Sequence, residues 1–298
     1  MLLAGEADIV SLPRELQPDA ESAGNQIISS ARAAQQSALV FGGLFMDPEG
    51  HAATENLPWV DIKVREAMNR AIDRQAMIDV LYQGRAETLP VWSMDPRFDG
   101  YVPELADRFE EAYGYDPEKA KALLAEAGYP ENFDNPVIPI VATALAGSPE
   151  FGVMAELAEA FFAQIGLETE IREMDWPSVQ NARLGFTAGF VHPQRNAPVR
   201  PNAIGVQAGY TEHLSPAYSL GSAELDAMGA ELLAEKDVAR REVIVGDMFT
   251  YIFDNYAAMP LATIFAEVAV NPATVAGWQF PGASSTGISH FELIQAAE

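Results

Sequence analysis

The chain has 298 residues, 49% hydrophobic and 20% charged, which suits a globular protein with a substantial core and not a disordered one. Its 18 basic and 43 acidic residues leave a formal net charge of −25, which argues against nucleic acid or an anionic membrane surface as partner. Without cysteine there is no disulfide framework and no thiolate chemistry, and no apolar run is long enough to span a bilayer.

Taken in chain order, the opening MLLAGEADIV has no basic leader and reaches Glu6 and Asp8 at once, so it is not read as a secretion signal. LLAGEADIVSLP reads as a helix end, a glycine turn and a short strand with Pro13 after it. Ala38 to Phe41 is an extended segment, and Gly42-Gly43 permits unusual backbone angles after it.

Leu57 to Leu81, LPWVDIKVREAMNRAIDRQAMIDVL, predicts two helices, with Asp61 capping the first and Asp73 the second. Ile62, Met68, Ile72 and Met77 form the expected apolar side, with Lys63, Arg65, Arg70 and Arg74 as a solvated face. A long Pro-, Trp- and Asp-rich loop follows from Leu89 to Tyr101. YDPEKAKALLAEAGYP, Tyr115 to Pro130, predicts a helix with Asp116 as cap, Pro117 at its first position and Gly128 past its end.

Val137 to Val141 reads as a buried strand. Pro149 to Gly166 reads as a helix with Val153, Leu157, Phe161 and Ile165 on one side. Leu167 to Glu173 alternates as a strand would, so strand, helix and strand make an α/β crossover. Trp176 to Leu184 predicts a short helix and Phe186 to Val191 another strand. After a proline-rich loop come helices capped by Ser222 and Asp237, and then a strand over Leu261 to Val268 opened by Pro260.

Taken together, the 57–81 and 115–130 units resemble the central signature of the extracytoplasmic solute-binding proteins of peptide-type ABC importers, which include dipeptide, oligopeptide and nickel binders. The resemblance implies an α/β, periplasmic-binding-protein-like fold of type II, and it covers nearly the whole chain. LLAGEADIVSLP resembles a phrase lying well inside such proteins. The expectation is therefore the C-terminal part of a longer polypeptide. Residues 1–38 would be a remnant of lobe I, 39–265 lobe II, and 266–298 the return to lobe I. With most of lobe I missing, Ile9, Val10 and Trp278 are expected to lack cover.

The resemblance further implies a non-enzymatic protein without cofactor, periplasmic or extracytoplasmic. It would close two lobes on a small solute and deliver it to the membrane permease. Chemistry elsewhere in the chain is sparse. The histidines at 51, 192, 213 and 290 show no metal-ligand spacing, and no GxSxG, P-loop or GxGxxG occurs. A hydrolase on an α/β scaffold and an isolated lobe serving as an interaction module remain the alternatives.

The best site candidate is Phe186 to Asn202, FTAGFVHPQRNAPVRPN, with Phe190 and His192 in it, because loops at strand ends line the clefts of α/β lobes. A proline-stiffened surface loop is the plain alternative. The family commonly places a tryptophan and then an acid here, the acid pairing with a peptide ammonium. Counted without gaps, those places hold Pro193 and Asn196, while Arg195 and Arg200 add positive charge. The expected solute therefore has an anionic or neutral polar head. Trp176 is a candidate flat wall, Trp92 a lid or rim residue, and Phe41 a cleft-facing aromatic at the crossover; Trp59 and Trp278 are expected to pack inside.

Overall fold

The structure is a computed structural model that describes residues 1–43, 57–145, 148–196, 221–281 and 288–298. Its elements in chain order are β1 (Ile9–Val10), α1 (Gln17–Ser22), β2 (Gln26–Phe41), α2 (Ile62–Ala71), α3 (Arg74–Tyr82), β3 (Ala86–Thr88), α4 (Pro103–Asp107) and α5 (Phe109–Tyr113). There follow α6 (Pro117–Ala127), β4 (Ile138–Ala142), α7 (Phe151–Gln164), β5 (Thr169–Glu173), α8 (Trp176–Leu184) and β6 (Val191–Asn196). The chain ends with α9 (Ala223–Ala234), α10 (Val238–Asp254), β7 (Ala258–Val270), β8 (Val275–Trp278) and β9 (Ile294–Ala296).

A mixed seven-stranded sheet in the order β1-β7-β2-β6-β4-β5, with β3 also on β7, carries the fold. The two long strands β2 and β7 pair antiparallel from Gln26↔Val270 to Val40↔Ala258. The expected lobe boundaries at 38/39 and 265/266 fall inside these strands, which cross them unbroken. Pro260 lies within β7 and not at its start. It is tolerated because the register slips beside it, Ser37 facing Ala262 but Ala38 facing Pro260, so the missing N–H falls at an irregularity. β4 runs parallel to β5, and α7 provides the crossover between them.

The caps form as the residue types dictate. The carboxylates of Asp61, Asp73 and Asp116 accept from the backbone N–H of Lys63, Ala76 and Lys119 at 2.8, 2.9 and 2.9 Å. Gly128 ends α6 in the left-handed conformation at φ 77°. Ser222 and Asp237 cap α9 and α10 likewise.

Two helix faces differ from expectation. Ile62 is 41% exposed, whereas Arg65, Arg70 and Arg74 are buried. Their guanidiniums reach backbone carbonyls that helix ends and strands leave open: Arg65 donates to Trp59, Val60 and Asn255, and Arg74 to Asn69, Tyr113 and Pro260. Charge patterning marks such residues as solvated, and only the tertiary contacts show that Arg65 ties α2 to the end of α10 and Arg74 ties α3 to β7. In α7 the buried side is Phe151, Met154, Ala155, Ala158 and Phe162, and Val153 is 43% exposed, so the core-facing stripe is rotated from the predicted one. Trp278 is not left uncovered: it packs with Phe280 and Phe291, and its indole N–H donates to the His290 carbonyl at 3.0 Å. Ile9 and Val10 are half-buried against the sheet.

Candidate functional site

The strand expected over Phe186–Val191 instead begins at Val191 and runs to Asn196. Proline, arginine and asparagine look like loop residues, but here the ladder tolerates them. The recorded β4–β6 pairing is Ile140↔Val191, while β2 holds β6 from Gln36↔Asn196 to Phe41↔Val191. Val191–Asn196 of this segment is thus strand, and strand periodicity sorts its side chains onto two faces.

One face carries Phe190, His192, Gln194 and Asn196. Phe190 and His192 are buried, with ring centroids 5.7 Å apart in an edge-on contact. The His192 Nδ1 lies 3.0 Å from the Pro193 carbonyl. Burial first, and then the nearby Arg183 charge, push the His192 pKa down to about 3, so the ring is neutral. Asn196 donates from Nδ2 to the Ser93 Oγ at 3.3 Å. The other face carries Arg195, opposite Ser37. Arg195 and Asn196, neighbours in sequence, therefore point to opposite faces of the sheet.

Other candidates are taken up by packing. Phe41 is buried against Trp59, ring centroids 6.4 Å apart, and the Trp59 indole donates to the Gly42 carbonyl at 2.9 Å. Trp92 is buried in the core and not on a rim, because its loop folds inward: Gln36 donates to the Met94 carbonyl and accepts from the Ser93 N–H. Trp176 is half-buried with the Arg183 guanidinium over its ring at 5.8 Å. Arg200 lies outside the described residues.

Arg195 lines a cavity of about 1270 Å³. Its walls are the Ser11–Gln17 segment, the middle of β2 and β7, the β4–α7 loop and the exposed side of α3 and α7. The cavity thus opens at the C-terminal ends of β4 and β6, where α/β folds place their ligands. Its charged lining is Arg14, Glu15, Glu150, Arg195 and Glu267.

Glu267 anchors one wall. Its carboxylate lies 2.8 Å from the Arg14 Nε as an ion pair and accepts from the Arg85 Nε at 2.8 Å and the Gln17 Nε2 at 3.3 Å, while Arg14 donates from its terminal nitrogen to the Phe265 carbonyl. Glu150 sits at the N-terminus of α7. Burial raises its carboxyl above the usual carboxylate range, against the opposing pull of its own backbone N–H and of Arg14 and Arg195. Sequence reading missed Glu150 altogether: an acid before a helix looks like a cap, and nothing local points it into a cavity. Among the described residues, no group of His, Asp and Glu is arranged to hold a metal.

Among the described residues, the cavity thus presents charged groups of both signs on its walls. Residues 1–197 match the family described as bacterial extracellular solute-binding proteins, family 5 Middle. The chain belongs to this family. Its members are solute-binding proteins and not enzymes, which removes the hydrolase alternative.

The chain is 41% identical to heme-binding protein A of Haemophilus influenzae over 141 residues, which is 46% of this chain and 24% of that one. It is 35% identical to the dipeptide-binding protein of Escherichia coli over 121 residues, 40% of this chain and 21% of that one. The same fold occurs in NikA of Brucella suis in complex with Fe(III)-EDTA, with a TM-score of 0.78 at 20% identity, covering 99% of this chain and 58% of that one. These matched stretches span about a quarter of the curated relatives, and the chain as a whole spans somewhat over half of that solved structure. No helix among the described residues is long and apolar enough to cross a membrane.

Proposed function

We propose that this family 5 protein is the extracytoplasmic solute-binding component of an ABC importer, and that its polar organic solute is held in the cavity bounded by Arg14, Glu150 and Arg195. The observation that carries this reading is the cavity's position. It lies at the C-terminal ends of β4 and β6 and is walled by the Ser11–Gln17 segment and the two long strands. Strands β2 and β7 would be the crossovers between lobes I and II, with the boundaries near 38 and 265. Closure would turn about them and strip water from the solute. The closed protein would then dock on its permease. The names of the relatives, a heme-binding and a dipeptide-binding protein, support a solute of metabolite or short-peptide size.

A thermal-shift screen of short peptides, opine-like acids, heme and chelated metals tests the reading. One class should raise Tm in a saturable way, as ligand linkage requires, and Arg195→Ala should diminish the shift. If no class stabilises the protein at millimolar concentration, the reading fails.

A further inference from the structure

Gln83 stands where a glycine is ordinarily found. It ends α3 in the left-handed conformation, at φ 52°, and the glycine of this turn comes one residue later, at Gly84. A side chain in that conformation costs stability that glycine would not, so the helix end alone gives no reason for a glutamine. Its two contacts do. The side-chain Nε2 donates to the Arg14 carbonyl at 2.7 Å, and the Oε1 accepts from the Arg85 guanidinium at 3.0 Å.

The carbonyl held by Gln83 belongs to the Ser11–Gln17 wall of the cavity. That segment leaves the sheet after the Val10↔Ala269 pair and enters α1 at Gln17. Its own bonds, from the Leu16 N–H to the Pro13 carbonyl and from the Gln17 Nε2 to the Leu12 carbonyl, stay within it. Among the described residues, the bond from Gln83 is the one that joins the backbone of residues 11–16 to an element other than α1. The remaining ties are side chains: Arg14 pairs with Glu267 and lies 5.3 Å over the Tyr82 ring, and Gln17 accepts from Arg85. A segment with few backbone bonds and mostly exposed residues opens more readily than the sheet beside it.

We infer that Gln83 is a positioning residue, which holds residues 11–17 as a strap along one side of the cavity. The strap opens by releasing the Arg14 carbonyl from Gln83. Access to the cavity is therefore governed at the end of α3, in addition to any movement of the lobes. This rests on the reading of the cavity as the solute site. Glycine at position 83 would suit the helix end better and would leave the strap untied, so stability and access part company at this one residue.

The chain has no cysteine, so a single introduced thiol reports access. Ala34 lines the same cavity and is buried. In Ala34→Cys, adding Gln83→Gly should speed labelling by N-ethylmaleimide by about fivefold or more, the factor expected for a lost hydrogen bond of the closed strap. Gln83→Asn tolerates the left-handed conformation but is too short to reach Arg14, and it should act in the same way. The urea midpoint should not fall in Gln83→Gly, and a thiol in Ala158→Cys, buried in α7 and outside the cavity lining, should label no faster. Hydrogen exchange on the cysteine-free protein gives a second measurement: residues 11–17 should exchange faster in Gln83→Gly while α7 keeps its rates. Unchanged exchange in residues 11–17, or unchanged labelling of Ala34→Cys, overturns the assignment. Equal acceleration at both thiols overturns it too, because that reports general loosening. Neither readout uses a solute, so a screen in which no solute binds overturns the reading of the cavity and leaves the strap in place.

Discussion

His192 shows how little a side chain's chemical repertoire says about its use. The ring is fully buried between β6 and its neighbours, with Nε2 lacking a hydrogen-bond partner among the described residues and Nδ1 against the Pro193 carbonyl. Its pKa lies near 3 in the folded chain and near the ordinary 6.5 in the unfolded one, so the unfolded state binds more protons between those values. The resulting stabilisation is complete above pH 6.5 and is lost progressively as pH falls towards 3, at about 1.4 kcal/mol per pH unit for a fully shifted group. His192→Leu should therefore flatten the acid limb of a urea-midpoint profile between pH 6 and 4. If wild type and variant fall in parallel, His192 is not the group responsible. Gly42 makes the complementary steric point. A Cβ there would stand 2.1 Å from the Ala188 carbonyl oxygen and 2.6 Å from that of Phe190, both backbone atoms. Gly42→Ala should cost on the order of 1–3 kcal/mol, the range for overpacking, as read by chemical denaturation.

At the scale of elements, the α2–α3 elbow is held by Arg74. Only 6% exposed, it donates to the carbonyls of Asn69, Tyr113 and Pro260 and to the Asn69 Oδ1, and its guanidinium lies 5.2 Å from the Phe109 ring centroid. Burial lowers its pKa to about 10, which still leaves it charged at neutral pH. Arg74→Met keeps most of the volume but strands four acceptors. The expected loss is on the order of 3–5 kcal/mol, with α3 and the β3–β7 pairing loosening first in hydrogen exchange. A loss below about 1 kcal/mol would contradict the role assigned to it. Lys63 and Glu126 offer the contrast: an exposed pair 3.0 Å apart, whose removal should be nearly silent.

For the whole molecule, the Arg14–Glu267–Arg85 network joins the segment before α1 to β7 and to the turn after α3. The Glu267 side chain is 3% exposed, so Glu267→Ala would leave two guanidiniums facing each other in a poorly solvated place. The expected cost is about 3–5 kcal/mol, accompanied by faster exchange of residues 9–22 than of β4 and β5. Uniform exchange across both regions would show that the network does not hold the segment in place. The same wall bounds the cavity, so solute affinity should fall along with that protection.

The helix starts at Asp61, Asp73 and Asp116 and the stop at Gly128 were legible in the sequence because capping is local: one side chain satisfies amides within three residues. The family was legible as well: the matched residues 1–197 contain both the 57–81 and 115–130 units on which the resemblance was read. The site was not. Phe41, Trp92, Phe190 and His192 have the chemistry of binding residues, yet the interior claims them, and Arg195 and Asn196 part because a strand alternates its side chains. Glu150 becomes meaningful only beside Arg14, more than a hundred residues earlier. Sequence by itself determined elements, caps and family, which depend on neighbours along the chain. Tertiary structure alone decided which face each residue shows and which charges meet across the cavity, because desolvation and ion pairing depend on distance in space.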